Sequence, residues 1–458
     1  MKLQKSKVIA FYRKLPEVQF EDPKESNMTS FAGLVIFQKL FEDLNLVERL
    51  KKCFGKETIS PMFGFHRLAL WLIIHLILGY RQIKDVKYYE YDPMVLRTLN
   101  LKRMPDPSSF SRSLNAVDQS SIDKVSALMT EIVCERLKSE RLARITLDFD
   151  GSVISTSRHA EGTAVGYNKK KKGHRSYYPL FCTIAQTGQF FDMLHRSGNV
   201  HDSNGADEFI EACLAKAKQH LPGAVVETRM DSAFFSESQL ENLSDQRIEF
   251  TVPLPYERFP ELKSIIGGRK RWSKIDSEWS FFEVDWEPKS WGTNFRFIVY
   301  RHKLKIQRKG PIQLDLFEPI DFEFEYKVVV SNKRSNAKKI LHFHNGRGAQ
   351  EGIFGDVKND CKMEYVPVRG LTGNQLYCLA GMMSHNFSRE LQMRTYEKDR
   401  GTTEKRSPLW IFQKLSVIRQ KIVQRAGKLI RPQGKLTLVM AADGPLKSEI
   451  EEFLANAG

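Results

Sequence analysis

Cysteine is scarce in this 458-residue chain. Six occur, at 53, 134, 182, 213, 361 and 378, far apart and with no CxxC pair. That spacing argues against a zinc site or a disulfide framework and fits reduced thiols in a cytosolic protein. Long apolar runs are also missing. The opening segment has no secretory apolar stretch. The most hydrophobic run, Leu68–Leu78, is interrupted by His75 and falls short of the roughly 20 residues a bilayer requires, so it reads as a buried helix. No GxxxxGK[ST] loop is present, so ATP use is not implied. No internal repeat is evident. Acid is in deficit: 55 Asp and Glu against 71 Lys and Arg leave a net charge of +16. An excess of this size favours a polyanionic partner and says nothing about fold.

What is there is enough to build cores. Hydrophobic residues make up 41% and aromatics 11%, and the length predicts roughly two to four domains. Residues 1–140 read as a helical region for DNA binding or dimerisation. Phe37, Leu40, Phe41 and Leu44 share one helical face, as do Ile122, Val125, Met129 and Ile132. Ser60-Pro61 has the form of an N-cap and N1 proline opening the Leu68–Leu78 helix. The segment Pro105–Arg112 reads as a turn and a capped short helix. It is either one half of a DNA-reading helix pair or an ordinary helix hairpin.

At residue 145 the pattern changes to strands. Ile145–Asp150, Tyr177–Ala185, Phe190–Arg196 and Ala224–Met230 read as strands, and Ser203–His220 as a helix. This mixed α/β pattern spans 141–254. Residues 255–325 hold four of the six tryptophans (272, 279, 286 and 291) and predict a β-rich insertion, with strands at Trp279–Trp286 and Phe295–Arg301. The α/β pattern resumes over 326–395 with a strand at Tyr326–Ser331, then helix. A basic C-terminal region, 396–458, follows. Between 391 and 435 twelve Lys and Arg face three acids, with Trp410, Ile411, Leu415, Ile418 and Ile422 interleaved, which predicts an amphipathic helix with a cationic side. Such a run is a DNA contact or a solvated face.

Three carboxylates stand out by setting. Asp150 ends an apolar strand, with Asp148 two residues earlier on the same strand face. Asp231 ends another strand, as a metal ligand or as a helix cap. Glu351 lies in a segment where His344, Arg347, Glu351 and Lys358 would share one helical face, either flanking a metal site with cations for phosphates or forming an ordinary Arg–Glu surface pair. The glycines at 346, 348, 352 and 355 weaken that helix but allow close backbone approach. Divalent hard cations want such oxygen ligands, and paired cations drive phosphodiester chemistry.

Strand-Asp, strand-Asp and helix-Glu resemble the DDE transposases of bacterial insertion sequences. Residues 344–358 match in spacing the Y-(2)-R-(3)-E-(6)-K signature of one superfamily of them, with His344 replacing the Tyr and with Arg347, Glu351 and Lys358 matching. Leu147–Ser152 resembles the first-Asp motif and favours Asp150 over Asp148. Arg229–Phe235 resembles the second-Asp motif, and Gly166–Leu180, with its basic loop, is also similar. The resemblance implies a ribonuclease H-like core interrupted by the β-rich insertion. It implies Asp150, Asp231 and Glu351 as catalytic metal ligands for two Mg²⁺, with Mn²⁺ as a substitute. Phosphate contacts are expected at His344, Arg347, Lys358, Lys169, Lys170, Lys171, Lys172 and Arg175. The implied activity is cleavage at transposon ends and strand transfer into target DNA by a homodimer, in the cytoplasm at the bacterial nucleoid and with no membrane partner. Two rival readings are a nuclease without strand transfer and a catalytically silent DNA-binding regulator. His342 and the His201-Asp202 pair lack the partners of a zinc site and read as structural or DNA-facing.

Overall fold

The computed structural model describes residues 17–457 except 21, 23–25, 56–57, 61–62, 167, 169–170, 201–203, 293–294 and 306–321. Lys169, Lys170, His201 and Asp202 therefore lie outside the described residues. The chain opens with helices α1 (Leu34–Asp43), α2 (Leu46–Phe54), α3 (Phe65–Ile77), α4 (Pro93–Thr98), α5 (Pro107–Asn115) and α6 (Gln119–Glu140). The expected apolar faces are buried, including Phe37, Leu40 and Phe41 on α1 and Ile122, Val125, Met129 and Ile132 on α6. Helix α3 opens at Phe65 behind Gly64, not at Pro61, and Ser60 ends the short strand Thr58–Ser60. Among the described residues no helix is long and apolar enough to cross a membrane.

The centre is a nine-stranded mixed sheet. Its strands are β1 (Arg144–Gly151), β2 (Leu180–Ile184), β3 (Phe190–Leu194), β4 (Val225–Arg229), β5 (Glu249–Leu254), β6 (Ser273–Lys274), β7 (Trp279–Val284), β8 (Arg296–Lys305) and β9 (Phe322–Ser331). They lie in the order β6-β7-β8-β9-β5-β4-β1-β2-β3. Strand β4 runs parallel to both β1 and β5, and the other pairings are antiparallel. The tryptophan-rich segment thus extends the same sheet. Its rings interlock: Trp291 stacks on Phe235 at 4.8 Å, and Trp286 meets Phe259 edge-on at 5.2 Å.

Period-two alternation divides the central strands between two environments. Ile145, Leu147 and Phe149 of β1, Val226 of β4, and Phe250, Val252 and Leu254 of β5 pack on one side, with α7 (Ala206–His220), α8 (Glu237–Asp245) and α9 (Pro260–Gly268). The other side carries Thr146, Asp148, Glu227, Arg229 and Thr251, all buried and all polar. Over that side lie α10 (Ala337–Asn345) and α11 (Ala349–Asp360), joined by the tight turn Gly346–Gly348. The long helix α12 (Leu371–Thr395) and the C-terminal α13 (Gly444–Asn456) share one apolar core with α1–α5.

The basic C-terminal segment is not the continuous amphipathic helix its composition predicts. After α12 the chain runs irregularly to a short helical stretch at Leu415–Val423, then into the hairpin Gly427–Ile430/Thr437–Met440. The reason is pairing at long range. Arg394 holds Asp43 and Glu390, Lys398 holds Glu140, Lys414 holds Asp356 and Lys421 holds Glu449. Arg419 is buried and donates to the carbonyls of Leu76, Ile77 and Asp360. These five cations are tied to acids and carbonyls of the chain's own fold.

Arg406 reaches furthest in. It forks onto Glu227, which is fully buried and also takes Lys333 at 2.7 Å, Arg144 at 2.8 Å and the Thr146 hydroxyl. Burial would raise this carboxyl, but Arg406 and Lys333 outweigh it and hold it at about 2. A group depressed in the folded state stabilises above its unfolded value near 4.5 and loses that contribution as pH falls toward 2. We therefore expect Glu227→Gln to cost about 3 kcal/mol at neutral pH, because it leaves cations buried without their counter-charge. The variant should also show a flatter acid limb than the parent between those two pH values, measured by urea unfolding across the range.

Candidate active site

Strands β1 and β4 pair with Asp148 opposite Arg229. Two residues further along each strand direction, Asp150 and Asp231 emerge at the carboxyl ends of neighbouring parallel strands. The Arg347 guanidinium lies between them, 3.0 Å from the Asp150 carboxylate and 3.7 Å from that of Asp231. Asp150 is about one-fifth exposed and Asp231 about two-fifths. Asp231 also accepts from the Ser232 amide, so it caps the short turn Ser232–Phe234 as well as facing the site. The helix around Ser236 has its own cap, the Ser236 side chain.

Asp148 has a different task. It is buried and bound bidentately by Arg229, with both contacts at 2.6 Å. Burial pushes its carboxyl above the ordinary value, and the guanidinium limits the rise. Arg229 also donates to the carbonyls of Phe343 in α10 and Lys405 in the C-terminal segment. Gln350 adds a bond from α11 to the Asp148 carbonyl at 2.9 Å. The helix pair is thereby clamped beside the strand ends.

The segment 344–358 does not present one continuous face. The helix tightens into a 3-10 turn at Gly346–Gly348, where a Cβ on Gly346 would sit 1.9 Å from the Lys405 carbonyl oxygen and 2.2 Å from Arg229. His344 points inward because it shares the buried face of α10 with Ala337, Ile340 and Leu341. It is 4% exposed and lies 3.2 Å from the Thr251 hydroxyl. Burial, with the cations of Lys327 and Arg347 beside it, pushes the imidazole well below its usual value. A buried neutral ring does not reach phosphate, so the expected DNA contact at His344 is corrected. Glu351 is exposed in the first turn of α11. Arg347 turns toward the two aspartates, and no Arg347–Glu351 ion pair occurs among the described residues. Behind Glu351, Ile353, Phe354 and Val357 anchor the helix, Phe354 against Phe181 and Phe190.

Among the described residues no three acids, histidines or cysteines stand close enough to hold a metal together. The pair that does converge, Asp150 and Asp231, already shares one cationic group, and its hard oxygens suit a divalent cation. Of the other expected phosphate contacts, Lys171 and Lys172 are exposed. Arg175 is turned onto the Thr163 hydroxyl at 2.9 Å and onto the Thr163 carbonyl, which makes it a support of the hairpin. Lys358 donates to the Val153 carbonyl at 3.1 Å.

Two residues at the site escaped the motif reading. Gln350 is one. Lys327 is the other, a part-buried amine on β9 bound to Asn345 and pushed below its usual value by burial. Its one legible signal is a lysine interrupting the apolar strand run that ends in Val328–Val330.

The model of a transposase DDE domain, group 1, matches residues 18–457. The chain belongs to this family. No curated protein matches it. A solved piggyBac transposase synaptic complex with hairpin DNA is similar over 86% of this chain and 80% of that one, at 10% identity and a TM-score of 0.41. A Mos1 transposase paired-end complex with the left transposon end aligns over 43% of this chain and 61% of that one, at 10% identity and a TM-score of 0.18. A Mos1 mariner paired-end complex with Mn aligns over 54% and 71%, at 10% identity and 0.17.

In this DDE-family chain the clamp and the exposed acids should separate experimentally. Arg229→Lys keeps a charge but loses the fork to Asp148 and the two carbonyl bonds, and should cost about 2 kcal/mol or more in urea unfolding. Gly346→Ala should cost about 1–3 kcal/mol, because its nearest obstacle is backbone. Asp231→Ala, at a residue about two-fifths exposed, should stay within about 1 kcal/mol of the parent.

Proposed function

We propose that the chain is a DNA transposase that cuts at the ends of its element and joins them to target DNA, with Asp150, Asp231 and Glu351 as its catalytic carboxylates. The observation that carries this reading is the shared guanidinium. In a DDE-family chain, two aspartates at the ends of adjacent parallel strands lie close enough to share a single cationic group. The order β3-β2-β1-β4-β5, with β6–β9 added at its edge, supports a ribonuclease H-like core with an insertion between the second Asp and the Glu.

Asp150 and Asp231 would hold Mg²⁺ or Mn²⁺, two ions per site in this reading, with Glu351 completing the set from α11. When bound, such ions activate the attacking oxygen and stabilise the leaving one. The chain's own contribution is placement. Asp150 and Asp231 offer oxygens from a rigid sheet edge. Arg347 serves as a phosphate ligand once its carboxylate partners are otherwise engaged, and Lys358, Lys171 and Lys172 add cations along the strand. Positions 348, 352 and 355 on the helix of Glu351 are glycines with open space where a side chain would stand, so a backbone can approach closely. In the first step water attacks the phosphodiester at the element end, and the 3′-oxygen leaves as a hydroxyl. In the second that hydroxyl attacks a target phosphodiester, a new P–O bond forms and the target's own 3′-oxygen departs. A homodimer would bridge the two ends.

The test is a labelled duplex carrying the element's own end, incubated with the protein and Mg²⁺ or Mn²⁺. Cutting at the end should occur, and it should vanish in Asp150→Ala and in Asp231→Ala. Cutting that survives either change would place the site elsewhere. End-specific binding without cutting in either metal would instead favour the regulator.

A further inference from the structure

Two arginines meet acids of β1, and they are held very differently. Arg229 is buried and donates four hydrogen bonds, two to Asp148 and one each to the carbonyls of Phe343 and Lys405. Arg347 is about one-fifth exposed and makes one among the described residues, to Asp150 at 3.0 Å. Its contact with Asp231, at 3.7 Å, is an ion pair too long for a hydrogen bond. A part-exposed pair of this kind is weak. The next residue, Gly348, has open space where a Cβ would stand, so the guanidinium has room to swing out. The Lys327 amine stands near enough to feel the charges of both Arg347 and Asp231. The two aspartates are therefore already close to neutralised by the chain's own cations. A divalent ion placed between them meets the Arg347 guanidinium, and Coulomb repulsion opposes it. A phosphodiester reverses this. Its anionic oxygens offer Arg347 another partner, which a guanidinium grips in the same forked way as a carboxylate.

We infer that Arg347 is a removable counter-ion, seated between Asp150 and Asp231 in the free protein and drawn out by a phosphodiester of the bound duplex, so that DNA and divalent cations bind this site with positive coupling. This deepens the transposase reading and rests on it. By linkage the effect is reciprocal: the ion tightens the duplex by the same factor as the duplex tightens the ion. The carboxylates thus take up metal chiefly once DNA is in place, which confines the cutting centre to its substrate.

The experiment is Mn²⁺ titration of the full chain, followed by electron paramagnetic resonance of the free ion, without DNA and with a saturating end duplex, on ice so that cutting is slow. In the parent the duplex should tighten Mn²⁺ binding about tenfold, within the range usual for coupled sites. Without DNA, Arg347→Ala should bind Mn²⁺ at least about fivefold more tightly than the parent, and its further gain from the duplex should shrink by the same factor. Lys338→Ala removes one charge from an exposed position on α10 and should match the parent in both states. If Arg347→Ala does not unfold at the parent's urea midpoint, Arg347→Gln takes its place and should shift in the same direction. Arg347→Ala that binds Mn²⁺ no better than the DNA-free parent overturns the proposal, since that is the result for an arginine that only holds the carboxylates in place. Equal tightening in Lys338→Ala overturns it as well, because it marks a general effect of net charge. The titration and the cutting assay fail independently. End-specific cutting with Mn²⁺ affinity indifferent to Arg347 leaves the transposase reading intact and removes the counter-ion. Tightening in Arg347→Ala without any cutting by the parent does the reverse.

Discussion

A carboxylate and a guanidinium shut away from water hold the centre of this molecule together. Either Asp148 or Arg229 alone would be prohibitively costly at that depth, and together they become a fixed joint. Arg229 has donors to spare after its fork onto Asp148, and these fasten α10 through Phe343 and the C-terminal segment through Lys405. One side chain thus joins two strands, a helix and a segment 176 residues away in sequence. Asp150 and Asp231 each lie two residues beyond this joint. Their spacing follows from the strand register and from the clamp, not from contact with each other.

The wider arrangement repeats the same logic. One side of β1, β4 and β5 is conventional apolar core. The other is a buried polar lattice in which Glu227, Arg406, Lys333, Arg144, Asp148 and Arg229 satisfy one another. Such a lattice stabilises little in net terms, because desolvation offsets most of its attraction, but it tolerates few alternative arrangements. Strands β6–β9 extend this sheet, and β9 brings Lys327 up to the helix pair beside the site.

Much of this was legible in the sequence, for identifiable reasons. Strands β1 and β4 announced themselves through alternation, and the acids at their ends through the motif around each. The choice of Asp150 over Asp148 came from resemblance alone. That Asp148 is engaged by Arg229, 81 residues away, leaves no local trace. The spacing from 344 to 358 was read as one helical face, yet the helix tightens at Gly346 to admit the Lys405 carbonyl, and His344 belongs to the buried face of α10. Composition marked the C-terminal segment as basic and amphipathic. It could not show that Arg406, Lys398 and Lys414 answer acids at 227, 140 and 356. Local pattern reports periodicity and capping, whereas partners distant in sequence decide which charges remain available to a ligand.

The central claim is that the ends of β1 and β4 form a divalent-cation site beside Arg347. The most direct measurement is Mn²⁺ binding to the protein bound to its end duplex, followed by electron paramagnetic resonance of the free ion. The account predicts saturable uptake that is sharply weakened by Asp150→Asn, by Asp231→Asn and by Glu351→Gln, in protein that still binds the duplex and unfolds at the parent's urea midpoint. Uptake undiminished in the double Asp150→Asn/Asp231→Asn variant would contradict it.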